Sequence, residues 1–238
     1  IFSACRKARS FIHIESYRLL NDGIGEQLKN ILIERAAAGV EVRVIYDDVG
    51  SWKLKKKYIR SLRKAGIQIL PFMPVTFPFL TSKINFRNHR KIVVVDGEKG
   101  YVGGLNFADK YLYGTAKLGP WRDTHMEIRG EAVHSLQRLF VLDWYFVSGE
   151  MLTDPEYYRI RRVENTCYIQ MAHSGPDSDW ASIMQAYFYA ITTARKSILI
   201  STPYFSPNEN VLTALLTASL AGTEVRLLLP AKSDSLII

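Results

Sequence analysis

The sequence predicts an α/β domain built in layers, and three observations predict it. Strand-like and helix-like stretches alternate between Phe11 and Phe72. The run Ile92-Val93-Val94-Val95 is apolar and β-branched, as a strand buried on both faces should be. Finally, the opening pattern recurs. Ala8-Arg9-Ser10-Phe11-Ile12-His13-Ile14 is matched by Ala194-Arg195-Lys196-Ser197-Ile198-Leu199-Ile200, and Ala38-Gly39-Val40-Glu41-Val42-Arg43-Val44 by Ala221-Gly222-Thr223-Glu224-Val225-Arg226-Leu227.

In chain order, Phe11–Tyr17 alternates and reads as a strand. Ile24, Leu28, Ile31 and Leu32 share one helical face, and Ala38-Gly39 stops that helix. Val40–Tyr46 is a second strand. Leu54, Tyr58, Leu62 and Ala65 mark another helix, which Gly66 ends before the strand Ile67–Phe72. A proline-broken apolar loop follows, from Phe72 to Leu80. Beyond Ile92–Val95, Asp96-Gly97 turns the chain into a strand Tyr101–Leu105. Val133, Leu136, Phe140, Trp144 and Val147 line a long amphipathic helix. The expected organisation is a first domain over residues 1–150, a connector over 151–165, and the start of a second copy over 166–238. The chain starts at Ile1 without methionine and stops after a strand-like segment, so it reads as a fragment holding one and a half copies.

Composition narrows the class. Of 238 residues, 47% are hydrophobic and 23% charged, which excludes a disordered chain. The net charge of +8 favours an anionic partner, whether nucleic acid, phospholipid headgroup or acidic membrane surface. Cys5 and Cys167 are far apart and read as incidental buried thiols. The best apolar run, Leu139–Val147, is too short to span a membrane and is interrupted by Asp143. The five histidines have no metal-ligand spacing, so no metal and no cofactor is expected.

The chemistry concentrates in Asn88-His89-Arg90-Lys91, then Asp96-Gly97, then Gly103-Gly104-Leu105-Asn106. His89 and Lys91 are two apart on an extended stretch, so imidazole and ammonium face the same way. The turn returns Asn106 towards the same edge. A nucleophile, a cation and an amide donor at one strand edge describe a phosphoryl-transfer site.

His89-x-Lys91-x4-Asp96 followed by Gly103-Gly104-x-Asn106 resembles the phospholipase D superfamily. Ile12-His13-Ile14-Glu15, Gly39-Val40-Glu41-Val42-Arg43, Trp121-Arg122-Asp123-Thr124-His125 and Thr202-Pro203-Tyr204-Phe205 extend the likeness to the bacterial cardiolipin synthases over nearly the whole chain. The resemblance implies a layered α-β-α sandwich with a mixed sheet, duplicated. It implies phosphatidyl transfer between two phosphatidylglycerol molecules, giving cardiolipin and glycerol through a phosphohistidine on His89. Lys91 and Asn106 would hold the phosphate oxygens, with Gly103 and Gly104 beside the substrate. A second histidine motif, expected beyond residue 238, would protonate the leaving alkoxide, so half a site by itself is expected to be inactive unless two chains pair. The expected partners are anionic phospholipid and a membrane surface, with no nucleic acid. The expected location is the cytoplasmic side of the bacterial inner membrane.

Several residues carry two readings. Asp96 serves the chemistry or merely forms the turn. Asp123 orients the ring of His89 or pairs with Arg122 or Lys117 on the surface. His13 and Glu15 share a strand face and either line the pocket or form a satisfied core pair. The basic run Lys53, Lys55, Lys56 and Lys57 is a solvated helix face or a contact for anionic headgroups. Phe77, Phe79 and Leu80 close the core or dip into lipid. For function, the alternatives are a hydrolase of the same superfamily, phospholipase or nuclease, or a binder of anionic lipid or nucleic acid without a working second half.

Overall fold

The computed structural model describes residues 1–75, 87–159, 163–164, 167–175 and 180–231. The apolar loop residues Phe77, Phe79 and Leu80 lie outside them. The chain divides into two compact units between Met171 and Ala172.

The first unit runs α1 (Phe2–Arg6), β1 (Phe11–Ser16), α2 (Gly23–Ala37), β2 (Glu41–Asp47), α3 (Lys56–Lys64), β3 (Gln68–Phe72), β4 (Lys91–Val95), β5 (Lys99–Gly103), α4 (Lys110–Tyr113), β6 (His125–Arg129) and α5 (Val133–Ser148). The six strands form one sheet in the order β3-β2-β1-β4-β5-β6. β1, β2 and β3 are parallel, joined by helical crossovers, whereas β4, β5 and β6 run antiparallel to their neighbours, so the sheet is mixed.

Alternation along each strand assigns the faces. Ile12, Ile14, Val42, Val44, Val93 and Val95 pack in one core cluster with Leu28, Leu32, Tyr58 and Leu62 of α2 and α3. Phe11, Ile45, Ile92 and Val94 point the other way, into a cluster with Leu136, Phe140 and Trp144 of α5. The result is a sandwich of helices, sheet and helix. Each large side chain fully buried in it, Phe140 or Trp144 for instance, contributes about 1.5–3 kcal/mol. His13 and Glu15 follow the odd register of Phe11 and so face α5.

The connector read from sequence belongs partly to this unit. Pro155–Tyr158 forms a short 3-10 turn, and Tyr157 is buried with its hydroxyl donating to Glu41 at 2.9 Å. The predicted strand Tyr101–Leu105 is shifted, because Lys99 already pairs with Val95 while Leu105 lies past the strand end. Cys5 is buried as expected, but Cys167 is exposed.

The second unit contains α6 (Ser182–Thr193), β7 (Ser197–Ser201), α7 (Glu209–Leu220) and β8 (Glu224–Leu228). β7 and β8 are parallel, with Ser197 opposite Glu224, as Phe11 is opposite Glu41 in the first unit. The entry to each second strand is held alike: the N–H of Glu41 donates to the Ser10 carbonyl at 3.0 Å and that of Glu224 to Lys196 at 3.1 Å.

Candidate active site

The C-terminal ends of β1, β2 and β5 and the N-terminal end of β4 meet at one edge of the sheet, because β4 is antiparallel to β1 and places Lys91 opposite Ser16. Carboxyl ends of strands are where open α/β sheets build their sites. His89 lies in the irregular segment just ahead of β4, and Lys91 is the first residue of that strand. The Lys91 Nζ stands 3.2 Å from His89 Nδ1 and donates to the His89 carbonyl at 2.7 Å. The predicted convergence of these two side chains is therefore seen directly.

Tyr17, the residue after β1, lies beneath both. Its ring centroid is 4.4 Å from that of His89 and 5.3 Å from the Lys91 ammonium. His89 is exposed as a residue, yet its ring is partly desolvated on this packing. Desolvation, then the Lys91 and Arg18 charges, pull its pKa down to about 4. At neutral pH the ring is an uncharged base. Lys91 is buried, and desolvation lowers its pKa to about 8, opposed chiefly by the Asp123 carboxylate.

Asn106 reaches the same edge because Arg18–Leu20 pairs with Phe107: Phe107 N–H donates to the Arg18 carbonyl at 3.0 Å and Leu20 N–H to the Phe107 carbonyl at 3.1 Å. Its side-chain oxygen accepts from the Arg18 N–H at 2.9 Å, which fixes the amide and turns its NH2 away from that contact. Asp22 and Asp109 lock the same junction. Asp109 accepts from the N–H groups of Gly23 and Ile24 at the start of α2, and its own N–H donates to Asp22 at 2.9 Å.

Asp123 stands differently from the orienting role expected of it. Its Oδ2 accepts from the Trp121 indole at 2.8 Å, and among the described residues no hydrogen bond joins it to His89. Its field acts on Lys91 and His125. Gly104 makes room for it, since a Cβ at that position would meet the Asp123 Oδ1 at 1.9 Å. Gly103 is as tightly confined, against the Thr124 carbonyl. His125 opens β6, and its Nδ1 accepts from the Leu105 N–H at 3.3 Å, so it is a strand residue with a backbone partner.

Three expected members lie apart from this group. Asp96 sits at the opposite end of β4, about 17 Å of strand away from Lys91. There its carboxylate accepts from the N–H groups of Arg9, Ser10 and Phe11 at 2.8–3.2 Å, and the turn it forms puts Asp96 and Gly97 in left-handed backbone at φ 55° and 66°. His13 is wholly buried, stacked on Phe140 at 4.5 Å, with its two ring nitrogens on Gln137 and Glu41. Glu15 is buried under α5 beside Asn88 and Asp143. Neither His13 nor Glu15 is placed to touch a substrate, because the odd face of β1 is covered by α5.

Sequence reasoning gave no site role to Tyr17, Arg18, Asp47 or Asp143, and quoted Asn88 only as part of the motif. The signal for Tyr17 and Asp47 was their position at the ends of parallel strands. The signal for Asp143 was an acid inside an otherwise apolar helix face. Among the described residues, no cluster has the makings of a metal site.

A family model described as "Cardiolipin synthase, PLD-like domain" matches residues 1–138 and 187–238. Over 240 residues the chain is 50% identical to the cardiolipin synthase of Geobacillus thermodenitrificans, covering 100% of this chain and 48% of that protein. Over 236 residues it is 49% identical to cardiolipin synthase 2 of Bacillus cereus, covering 98% of this chain and 46% of that protein. The chain thus spans about half the length of the curated relatives it matches. Among solved structures, the phosphatidylserine synthase of Haemophilus influenzae superposes with a TM-score of 0.68 over 96% of this chain and 58% of that one. At 15% identity that likeness is one of fold.

Proposed function

This chain belongs to the cardiolipin synthase family of phospholipase D-like domains, and from that premise we propose that it supplies the nucleophilic half of a phosphatidyltransferase. The substrate is phosphatidylglycerol. A ring nitrogen of His89 attacks the phosphodiester phosphorus, the bond to the glycerol oxygen breaks, and a phosphatidyl-histidine remains. The departing alkoxide takes a proton from the second histidine motif that the family likeness implies. A hydroxyl of a second phosphatidylglycerol, returning a proton to that second histidine, then displaces His89 and gives cardiolipin. Dividing the exchange between two displacements is nucleophilic catalysis.

The observation that carries this reading is the pairing of a neutral, exposed imidazole with a buried ammonium 3.2 Å from its Nδ1. While Nδ1 accepts from that ammonium, the ring proton resides on Nε2. An arriving phosphate competes for the ammonium and, being an anion, wins it. The imidazole is then released to choose its tautomer, and one nitrogen is free to attack. Lys91 and the Asn106 NH2 hold the non-bridging oxygens as charge builds on them. Asp123 keeps Lys91 charged.

The work is done at a membrane surface, where the lipid is; support comes from the acid-free basic stretch Lys53–Lys64. No described helix is long and apolar enough to cross a membrane. The test gives phosphatidylglycerol to the full-length protein. Cardiolipin and glycerol in equal amounts are expected, with an acid-labile phosphorylated peptide containing His89 on quenching, absent in His89→Ala. Phosphatidic acid without cardiolipin would replace transfer by hydrolysis, and a phosphopeptide elsewhere would remove His89 from the role.

A further inference from the structure

Resting on that reading of His89, we propose that Glu15 and Asp143 share one proton as a buried acid–carboxylate pair that, through Asn88, holds His89 in position. His89 belongs to no helix or strand, so its backbone depends on its neighbours. Asn88 immediately before it is buried, and the groups flanking His89 are all engaged. The Asn88 N–H donates to Asp47 Oδ2 at 3.2 Å, and its Oδ1 accepts from the Arg90 N–H at 2.9 Å, arching over His89. Its Nδ2 donates both to Glu15 Oε1 and, at 3.4 Å, to Asp143 Oδ2. Arg90, on the far side of His89, pairs through its guanidinium with the same Asp143.

The remaining oxygen decides the protonation. Glu15 Oε2 is buried and has no hydrogen-bond donor among the described residues. An ionised carboxylate left in that state is strongly disfavoured. Protonated, the same oxygen becomes a donor, and the carboxylate of Asp143 beside it is the acceptor. The charged and titratable groups around Glu15 are Asp143 on α5, Arg90 ahead of β4, Lys91 on β4, and Asp47 on β2, reached through Asn88. Burial and then Asp143 push the Glu15 carboxyl well above the ordinary range, with Arg90 opposing. Two acids near one another with a single proton between them is the physical solution.

The test compares the intact wild-type protein with Glu15→Gln and Glu15→Ala, since Gln mimics the neutral acid in shape and donates where the proton did. Wild type at neutral pH should give the infrared carbonyl band of a buried protonated carboxyl, missing from Glu15→Gln. Its melting temperature should fall as pH rises through the folded-state pKa of Glu15, because the folded state holds that proton more tightly than the unfolded chain; Glu15→Gln should lack this fall. Glu15→Gln should retain kcat within a few-fold, whereas Glu15→Ala should lose about 100-fold in kcat at unchanged KM, the scale of a displaced catalytic group. No protonated-carboxyl band in wild type, or a Gln variant as impaired as the Ala variant, would overturn the proposal. If wild type shows the band yet leaves phosphatidylglycerol untouched, the proton pair stands and the reading of the site falls.

Discussion

The Lys91 ammonium and the His89 imidazole lie 3.2 Å apart at Nδ1, and the same ammonium donates to the His89 carbonyl at 2.7 Å. The second contact clamps the backbone of His89, while the first adds to the desolvation that lowers the basicity of its ring. A cation beside an imidazole disfavours imidazolium, and a desolvated ammonium is itself easier to deprotonate. Lys91 thereby helps to keep His89 neutral, while the Asp123 carboxylate opposes the desolvation that would discharge Lys91.

That coupling predicts a bell-shaped pH dependence. In the roles proposed for them, His89 acts when neutral, which holds above its pKa of about 4, and Lys91 acts when charged, which holds below about 8. The kcat/KM of the free enzyme should rise through the first value and fall through the second. Lys91→Arg should be slower, because the guanidinium fork does not reproduce a point charge, but its alkaline limb should vanish, since arginine stays charged. An alkaline limb that survives in Lys91→Arg would assign it to another group.

Gly104→Ala should act through a carboxylate it does not chemically alter. The new Cβ would fall 1.9 Å from Asp123 Oδ1 and 2.7 Å from its Cγ, so Asp123 must leave the Trp121 indole. Lys91 then loses the largest interaction that opposes desolvation, and its pKa drops further. The alkaline limb of kcat/KM should move to lower pH in Gly104→Ala and, without any clash, in Asp123→Asn. An acid-limb shift in Asp123→Asn instead would restore the orienting role on His89.

Asp96→Ala should destabilise without touching the chemistry. The substitution strips a part-buried acceptor from three backbone N–H groups at Arg9, Ser10 and Phe11 and leaves alanine at a φ of 55°. The expected cost is about 2–3 kcal/mol, read as roughly 4–12 °C in melting temperature. Well below that transition kcat should be unchanged. A lowered kcat at unchanged melting temperature would return Asp96 to the reaction.

The layered α/β architecture was legible because its signals are local: alternation in Phe11–Ser16, a helical stripe through Leu28 and Leu32, a β-branched run at Ile92–Val95. His89, Lys91 and Asn106 were legible because two lie within one short stretch and the third follows a hairpin turn. For Asp96 the motif spacing left chemistry and turn both open, and five residues along a strand carry its side chain far from its motif partners, into the turn. His13 and Glu15 were placed on the right common face, but which layer covers that face is a tertiary fact, fixed by α5 more than a hundred residues later. Asn88, Asp47 and Asp143 come together only through the sheet order β2-β1-β4 and the packing of α5, which no spacing encodes.

The last expectation concerns the surface beside the site. Lys53, Lys55, Lys56, Lys57, Arg60, Arg63 and Lys64 are all exposed, and no acidic residue interrupts them. Lys55 caps α3 and Lys56 and Lys57 occupy its first turn, where the helix dipole disfavours cations, so this placement costs stability. Trp52, 75% exposed, precedes them. The turn carrying Trp52 is tied to the site: Ser51 Oγ donates to the Tyr17 carbonyl at 3.2 Å, and Arg18 Nε donates to Gly50 at 3.2 Å. Headgroups held on this face would therefore lie beside the Tyr17–His89 pair. Each lysine near an anionic bilayer contributes about 1 kcal/mol. Replacing Lys55, Lys56 and Lys57 together by Gln should weaken binding to phosphatidylglycerol-containing vesicles about 100-fold. Trp52→Ala should weaken it further, and added salt should shrink the lysine effect as screening grows. Phosphatidylcholine vesicles should distinguish none of these variants. Equal binding of wild type and the triple variant to the anionic vesicles, at low salt, would reduce the basic stretch to a solvated helix face.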